Sequence, residues 1–144
     1  MALLTSATRA PRVFKSAVKA MGFGFWGKRN IGGTVTQQTN RTTGVTFDTT
    51  TNRGKMCGTI TTNNASLAAE AAAEFTVTNK AVGINDVVLV SQQSGSNGGN
   101  TDVFVSTVAE GSFKIKVSNN NASGGTAETG AIIINFCVIK SVVN

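Results

Sequence analysis

The segment Thr126–Val143 sets the strongest limit on the fold, because its apolar residues recur at every second position. One set of alternate positions holds Ile132, Ile134, Phe136, Val138 and Val142, and the other holds Ile133, Cys137, Ile139 and Val143. Strict alternation indicates a β-strand, and a strand that is apolar on both faces is expected to have protein on both sides. The run exceeds the usual strand length of about 5–6 residues, which predicts a central position in its sheet.

Shorter alternating segments precede this strand and are separated by polar turns. They predict short strands at Val35, Val45–Phe47, Lys55–Thr62, Glu74–Asn79 and Asp86–Ser91, and a hairpin of Val103–Val108 with Phe113–Val117. About eight regularly spaced strands without alternating helices predict an all-β fold, an antiparallel β-sandwich or jelly-roll-like domain. The expected organisation is a basic N-terminal arm over residues 1–31 and a sandwich body over residues 32–144.

Ala65–Ala73 is the one body segment whose composition favours a helix, but it has room for only about two turns. In an all-β chain it can equally be a crossover between two sheets. Gln92–Asn100 and Ser118–Gly125 are rich in Gly, Ser and Asn, which predicts surface loops. Carbohydrate binding by these loops is an alternative, but no residue pattern in them indicates it.

The positive charge of the chain is confined to its beginning. Residues 1–30 hold six Lys or Arg and no acid, whereas residues 31–144 hold seven basic and seven acidic residues, so the arm carries the entire net charge of +6. A basic arm on a neutral body is typical of proteins that bind nucleic acid or an acidic protein surface. Its Arg-rich, acid-free composition also matches an organellar transit peptide, but no apolar run supports a secretory signal.

The arm combines cations with aromatic residues. After Pro11, apolar residues spaced by four indicate a short basic amphipathic turn or two, and the glycine-aromatic segment Gly22–Arg29 follows. The segment can dock on a neighbouring surface or belong to a flexible basic tail. The candidate partner-binding residues are Arg9, Arg12, Phe14, Lys15, Val18, Lys19, Phe23, Phe25, Trp26, Lys28 and Arg29.

Several kinds of chemistry are not expected from this composition. The chain has no His, the commonest general base and metal ligand, and its two cysteines, Cys57 and Cys137, cannot form a zinc site alone. Both cysteines lie in strand-like runs and are expected to be buried thiols, while a disulfide would require neighbouring strands. The seven acids are scattered, and Glu70 and Glu74 could share only a solvated helical face. We therefore expect no catalytic residues, no cofactor, no metal and no membrane segment.

The order of motifs in the body resembles a group of small virion structural proteins of tailed bacteriophages, including marine and cyanobacterial phages. The matching segments are Gly32–Gln37, Thr43–Thr46, Gly58–Thr61, Phe75–Asn79, Asp86–Val90, Gly111–Asn119 and Ile134–Lys140. The resemblance covers residues 32–140 and leaves out the arm, and the Ala-rich Leu67–Ala73 departs from its usual pattern. It implies a non-enzymatic β domain that assembles on the virion.

The function expected from arm and resemblance together is that of a capsid decoration or cement protein. The partner would be the major capsid protein or another virion protein, the body would form a homo-oligomer, with a trimer favoured, and the location would be the virion. The alternatives are a tail, neck or fibre component, and a nucleic-acid-binding module that acts through the arm, because cations bind phosphate and aromatics stack on bases.

Overall fold

The computed structural model describes residues 32–48, 54–95 and 100–141. Within these ranges the chain contains no helix and forms eight strands. The strands are β1 Thr34–Thr36, β2 Val45–Thr46, β3 Cys57–Thr61, β4 Ala72–Thr78, β5 Val87–Ser94, β6 Thr101–Ala109, β7 Ser112–Asn119 and β8 Ile133–Ile139. The predicted all-β architecture is therefore confirmed.

The strands form two four-stranded sheets whose inner faces enclose one core. The first sheet has the order β1-β3-β8-β5 and the second the order β2-β4-β7-β6. β1 pairs with β3 and β2 with β4 in parallel, while the remaining pairs are antiparallel. This arrangement is a β-sandwich, in which alternate residues of each strand point inward.

β8 is the central strand that the sequence predicts, since it pairs with β3 on one side and β5 on the other. It is shorter than predicted, because it covers only the 7 residues Ile133–Ile139 of the long alternating run. The backbone N–H of Ile132 instead donates to the Thr62 hydroxyl at 2.9 Å, and Glu128 forms an isolated bridge with Leu67. Val142 and Val143 lie outside the described residues.

The core is built from the inward positions of the predicted alternating strands. Phe113, Ile115 and Val117 of β7 are almost fully buried, as expected, while Lys114 faces outward. The ring of Phe136 on β8 lies 4.9 Å from that of Phe47 and 5.3 Å from that of Phe113, so it bridges the two sheets. Burying each such side chain contributes roughly 1.5–3 kcal/mol to folding.

Ala65–Ala73 is a crossover and not a helix. It leads from β3 in the first sheet to β4 in the second, and Leu67 pairs with Glu128 on the way. A tight turn with Glu70 at φ 62° precedes β4. β4 begins at Ala72, earlier than the predicted Glu74, because Ala73 is buried in the core and pairs with Val117.

The β6–β7 hairpin is confirmed. Ala109 pairs with Ser112, and Gly111 supplies the positive φ of 72° that the two-residue connection requires. β5 extends to Ser94 through its pairing with β8, so the first part of the predicted loop Gln92–Asn100 is strand. The predicted loop Ser118–Gly125 likewise begins later, because β7 continues to Asn119. Residues 49–53 and 96–99 lie outside the described residues.

Two buried asparagines replace missing strand hydrogen bonds at the ends of the second sheet. Asn79 follows β4, and its side chain accepts from the N–H of Lys55 and donates to the Lys55 carbonyl, both at 2.8 Å. Asn119 ends β7 and donates to the carbonyls of Leu67 and Thr126 at 3.1 and 2.9 Å. Each amide thus fixes a neighbouring segment, as expected for polar groups with almost no solvent exposure.

Candidate interaction surface

The outer face of the first sheet carries exposed apolar side chains. Val87 and Leu89 on β5 are 52% and 53% exposed, Ile139 on β8 is 47% exposed, and Cys137 is also exposed. Val87 pairs with Ile139 and Leu89 with Cys137, so these four side chains form one cluster, here called the outer apolar patch. Ile84, in the turn before β5, is a further exposed apolar residue, 64% exposed.

The outer apolar patch lies on the second face of the C-terminal strand, which the sequence predicts to be covered by protein. Among the described residues only the inner face of β8 is covered. β5 was predicted to be apolar on both faces, and its outward Val87 and Leu89 are exposed as well. Toward the other end of the sheet the outer face becomes polar, where Thr59 donates to the Asn135 side chain at 3.1 Å. The outward positions of β3, β5 and β8 carry no charged residue.

Cys57 and Cys137 are directly opposite each other on this face. The Val138 N–H donates to the Met56 carbonyl at 2.7 Å, so Met56 and Val138 form a hydrogen-bonded pair. Cys57 and Cys137 are the next pair along the strands, and such a pair has no hydrogen bonds between its two backbones. Antiparallel strands approach most closely there, with Cα atoms about 4.5 Å apart. The expectation of two buried thiols was wrong, because Cys137 is exposed and Cys57 is half-buried. Burial, assisted by the neighbouring Cys137, raises the pKa of Cys57 against the effect of Lys55.

The outer face of the second sheet is charged and polar instead. Lys114 on β7 forms a salt bridge of 2.9 Å with Glu74 on β4, and Ser106 on β6 donates to the same carboxylate at 2.7 Å. The hydrogen bond from Lys114, followed by that from Ser106, lowers the pKa of Glu74. Phe104, 42% exposed, is the large apolar residue that β6 exposes. The two outer faces therefore differ in chemistry, and only the first offers a continuous apolar surface.

Arg41 lies in a buried polar cluster at the loop end of the sandwich and is only 4% exposed. Its guanidinium donates to the carbonyls of Ala65, Glu128 and Gly130, the last at 2.7 Å. The side chain of Glu128 is 1% exposed and accepts from the Thr101 hydroxyl at 2.5 Å. Burial lowers the pKa of Arg41, and the charge of Glu128 opposes that effect. Because the guanidinium donates to backbone carbonyls of separate segments, the cluster holds these segments together and has a structural role.

The ion pair of Lys140 with Asp86 lies at the end of β8 opposite to the Arg41 cluster. Lys140 donates to the nearly buried carboxylate of Asp86, which also accepts from the N–H groups of Gly83 at 2.7 Å and Ser141 at 3.0 Å. Burial alone would raise the pKa of Asp86, but the hydrogen bonds from Lys140 and the two backbone groups lower it overall. The pair fixes the turn before β5 to the end of β8.

Glu70 and Glu74, which could share a helical face according to the sequence, lie in different elements. Glu70 lies in the crossover turn and Glu74 on a strand, so the two share no helical face. Across residues 32–48, 54–95 and 100–141, no three His, Cys, Asp or Glu side chains are grouped so that they could hold a metal ion. No helix in these ranges has the length and hydrophobicity of a membrane span.

The candidate partner-binding residues Arg9–Arg29 lie outside the described residues, so their role stays a prediction. Sequence reasoning missed Arg41 and Glu128 as buried residues, because Arg41 stands in a predicted polar turn and Glu128 stands among polar residues at the start of the predicted C-terminal strand. It also missed the outer apolar patch, although β5 and β8 carry apolar residues on both faces. Comparisons with protein-family models, curated proteins and solved structures found no match.

Proposed function

We propose that this protein is a non-enzymatic structural component of a tailed-bacteriophage particle, a capsid decoration or cement protein that binds the shell through its N-terminal arm. In this proposal the partner is the major capsid protein or another virion protein, and the body assembles as a homo-oligomer, with a trimer favoured. The resemblance of residues 32–140 to small virion proteins motivates the class. The separation of charge between arm and body supports the mechanism.

The single observation that carries the mechanism is that the body balances its own charge, with seven basic and seven acidic residues, and engages three of these acids within its fold. Asp86 is paired with Lys140, Glu74 with Lys114, and Glu128 is buried beside Arg41. The six cations of the arm are therefore the excess charge of the chain, and in this proposal they bind an external acidic surface. Electrostatic attraction of this kind accelerates encounter and selects partners of opposite charge.

Rebinding to particles that lack the protein tests this mechanism. Deletion of residues 1–30 is expected to leave a folded body that no longer sediments with the particles. A full-length variant with Arg9, Arg12, Lys15 and Lys19 replaced by Gln is expected to bind weakly, with the residual binding less sensitive to salt than that of the wild type. A control variant with two cations of the body replaced, Lys80→Gln and Lys114→Gln, is expected to bind like the wild type. Undiminished binding after the deletion would reject the arm as the anchor.

Nucleic-acid binding is the second candidate, because cations and aromatics occur together in the arm. A protein that neutralises several phosphates loses affinity steeply as salt concentration rises. The purified protein would then bind duplex or single-stranded DNA at low salt, and the Gln variant of the arm would not. Lack of DNA binding at low salt by the wild type would remove this candidate and leave the capsid proposal in place.

A further inference from the structure

We propose that the outer apolar patch is the docking site of the chain's own segment Gly22–Arg29, whose Phe23, Phe25 and Trp26 cover Val87, Leu89, Cys137 and Ile139. This contact is independent of what the arm binds elsewhere. In this proposal the aromatic residues of the arm bind the body of the same chain, and the cations of residues 9–19 bind an external partner.

The place where the chain enters the sandwich supports this assignment. Thr34 of the edge strand β1 pairs in parallel with Thr59, and the Thr59 N–H donates to the Gly33 carbonyl at 2.8 Å. Extending that register by two residues puts Gly32 level with Cys57, which lies opposite Cys137. The chain therefore joins the first sheet at the end that carries the outer apolar patch.

The length of the preceding segment is sufficient. Trp26 is six residues before Gly32, and an extended chain of six residues reaches roughly 20 Å. The four strands of the first sheet span three interstrand spacings, roughly 14 Å. Phe23, Phe25 and Trp26 can therefore reach β8 and β5 from the β1 edge without any rearrangement of the sheet. The short tether also gives the segment a high effective concentration at the patch.

The size and chemistry of the patch favour a short segment over a second copy of the chain. A stable protein–protein interface uses about 20–30 residues on each side, whereas the patch has four exposed side chains and Ile84 beside it. Aromatic side chains bury about 150–250 Å² each, so two or three of them match a surface of this extent. The outward positions of β3, β8 and β5 are uncharged, which suits aromatic rings, so in this proposal Lys28 and Arg29 lie at the rim of the patch.

Two features of the chain make the contact measurable in the full-length protein. Trp26 is the sole Trp and the chain has no Tyr, so tryptophan emission reports the arm alone. Cys137 is exposed within the patch, while Cys57 beside it is half-buried with a raised pKa. A maleimide probe, with the modified site located by peptide mass spectrometry, therefore reports whether the patch is covered.

We expect Trp26 emission at shorter wavelength than in denaturant, and slow labelling of Cys137 that does not change with protein concentration. Replacing Phe23, Phe25 and Trp26 by Ser in the full chain is expected to accelerate labelling about tenfold or more, which corresponds to about 1.4 kcal/mol of docking. Leu89→Gln is expected to shift Trp26 emission toward that of water-exposed tryptophan. Phe104→Gln, on the opposite outer face, is the matched control and is expected to cause no shift.

Three results would overturn the proposal. One is fast labelling of Cys137 in the wild type. Another is protection that survives the triple Ser substitution and disappears on dilution, because a second copy would then cover the patch. The third is protection that requires both the aromatic residues and high protein concentration, because the arm would then come from another copy. If Leu89→Gln unfolds the protein, as judged by circular dichroism, Val87→Gln provides the same test, because Val87 lies two residues from Leu89 on the same face of β5.

Discussion

At the scale of single residues, Gly58 shows why one strand position tolerates no side chain. A Cβ atom at this position would lie 2.6 Å from Cε1 of Phe136 and 2.7 Å from the Gly33 carbonyl oxygen. Gly58→Ala is therefore expected to destabilise the protein by about 1–3 kcal/mol, the usual cost of overpacking a core. Gly32→Ala is the control, since its Cβ would meet nothing within 4 Å. Urea unfolding compares the two, and equal stabilities would contradict the packing described for Gly58.

Asp86 predicts a specific dependence of stability on pH. Since hydrogen bonds and Lys140 lower its pKa in the folded state, its contribution is present above the unfolded pKa of about 3.9 and is lost as pH falls through the folded pKa. Asp86→Asn is expected to cost about 1–3 kcal/mol at pH 7, because Lys140 loses its charged partner. The difference between wild type and variant, measured by urea unfolding, should shrink below pH 4. A difference that grows with acid would contradict this role.

At the scale of elements, the cluster around Arg41 connects three segments that are distant in sequence. Arg41 precedes β2, Ala65 belongs to the crossover, and Gly130 precedes β8. Arg41→Met is expected to destabilise the fold by about 3 kcal/mol, because the carbonyls of Ala65, Glu128 and Gly130 lose their shared hydrogen-bond donor. Lys114→Met is the control, since its exposed salt bridge contributes little. Thermal unfolding with equal midpoints for both variants would show that the cluster does not hold these segments.

The strands were predictable where one face is buried and the other polar. Phe113, Ile115 and Val117 alternate with Lys114 and Lys116, and β7 has that pattern in the structure. The crossover was less certain, because Ala-rich sequence favours a helix locally while Ala73 pairs with Val117 in the folded protein. Tertiary pairing here overrides intrinsic propensity. The ends of β5 and β8 were misjudged for the same reason, since cross-strand partners decide where a strand stops.

The features that the sequence could not reveal depend on contacts between distant segments. Nothing in the local pattern shows that Arg41 meets Glu128, or that Cys57 lies opposite Cys137. The exposure of Leu89 was also hidden, because a strand that is apolar on both faces reads as fully buried. The candidate residues of the arm were chosen from composition alone and remain a prediction, as they lie outside the described residues.

At the scale of the whole molecule, the sandwich has one charged and polar outer face and one with an uncharged apolar patch. Residues 1–30 carry the net charge of +6 of the chain. The two proposals assign different contacts to these parts of the molecule. The apolar patch binds an aromatic segment, and the cations of the arm bind an acidic shell. A protein organised in this way can bind a particle without an active site, which is the basis of the proposed structural role.

The copy number of the protein in purified virus particles decides whether that role is right. Quantitative mass spectrometry gives this number relative to the major shell protein. A decoration or cement protein occupies a repeating lattice, so the proposal predicts hundreds of copies per particle, in fixed ratio to the shell. A few copies, in multiples of three or six, would place the protein in the tail or neck. Absence from the particles would contradict the structural role and leave nucleic acid as the first candidate partner of the arm.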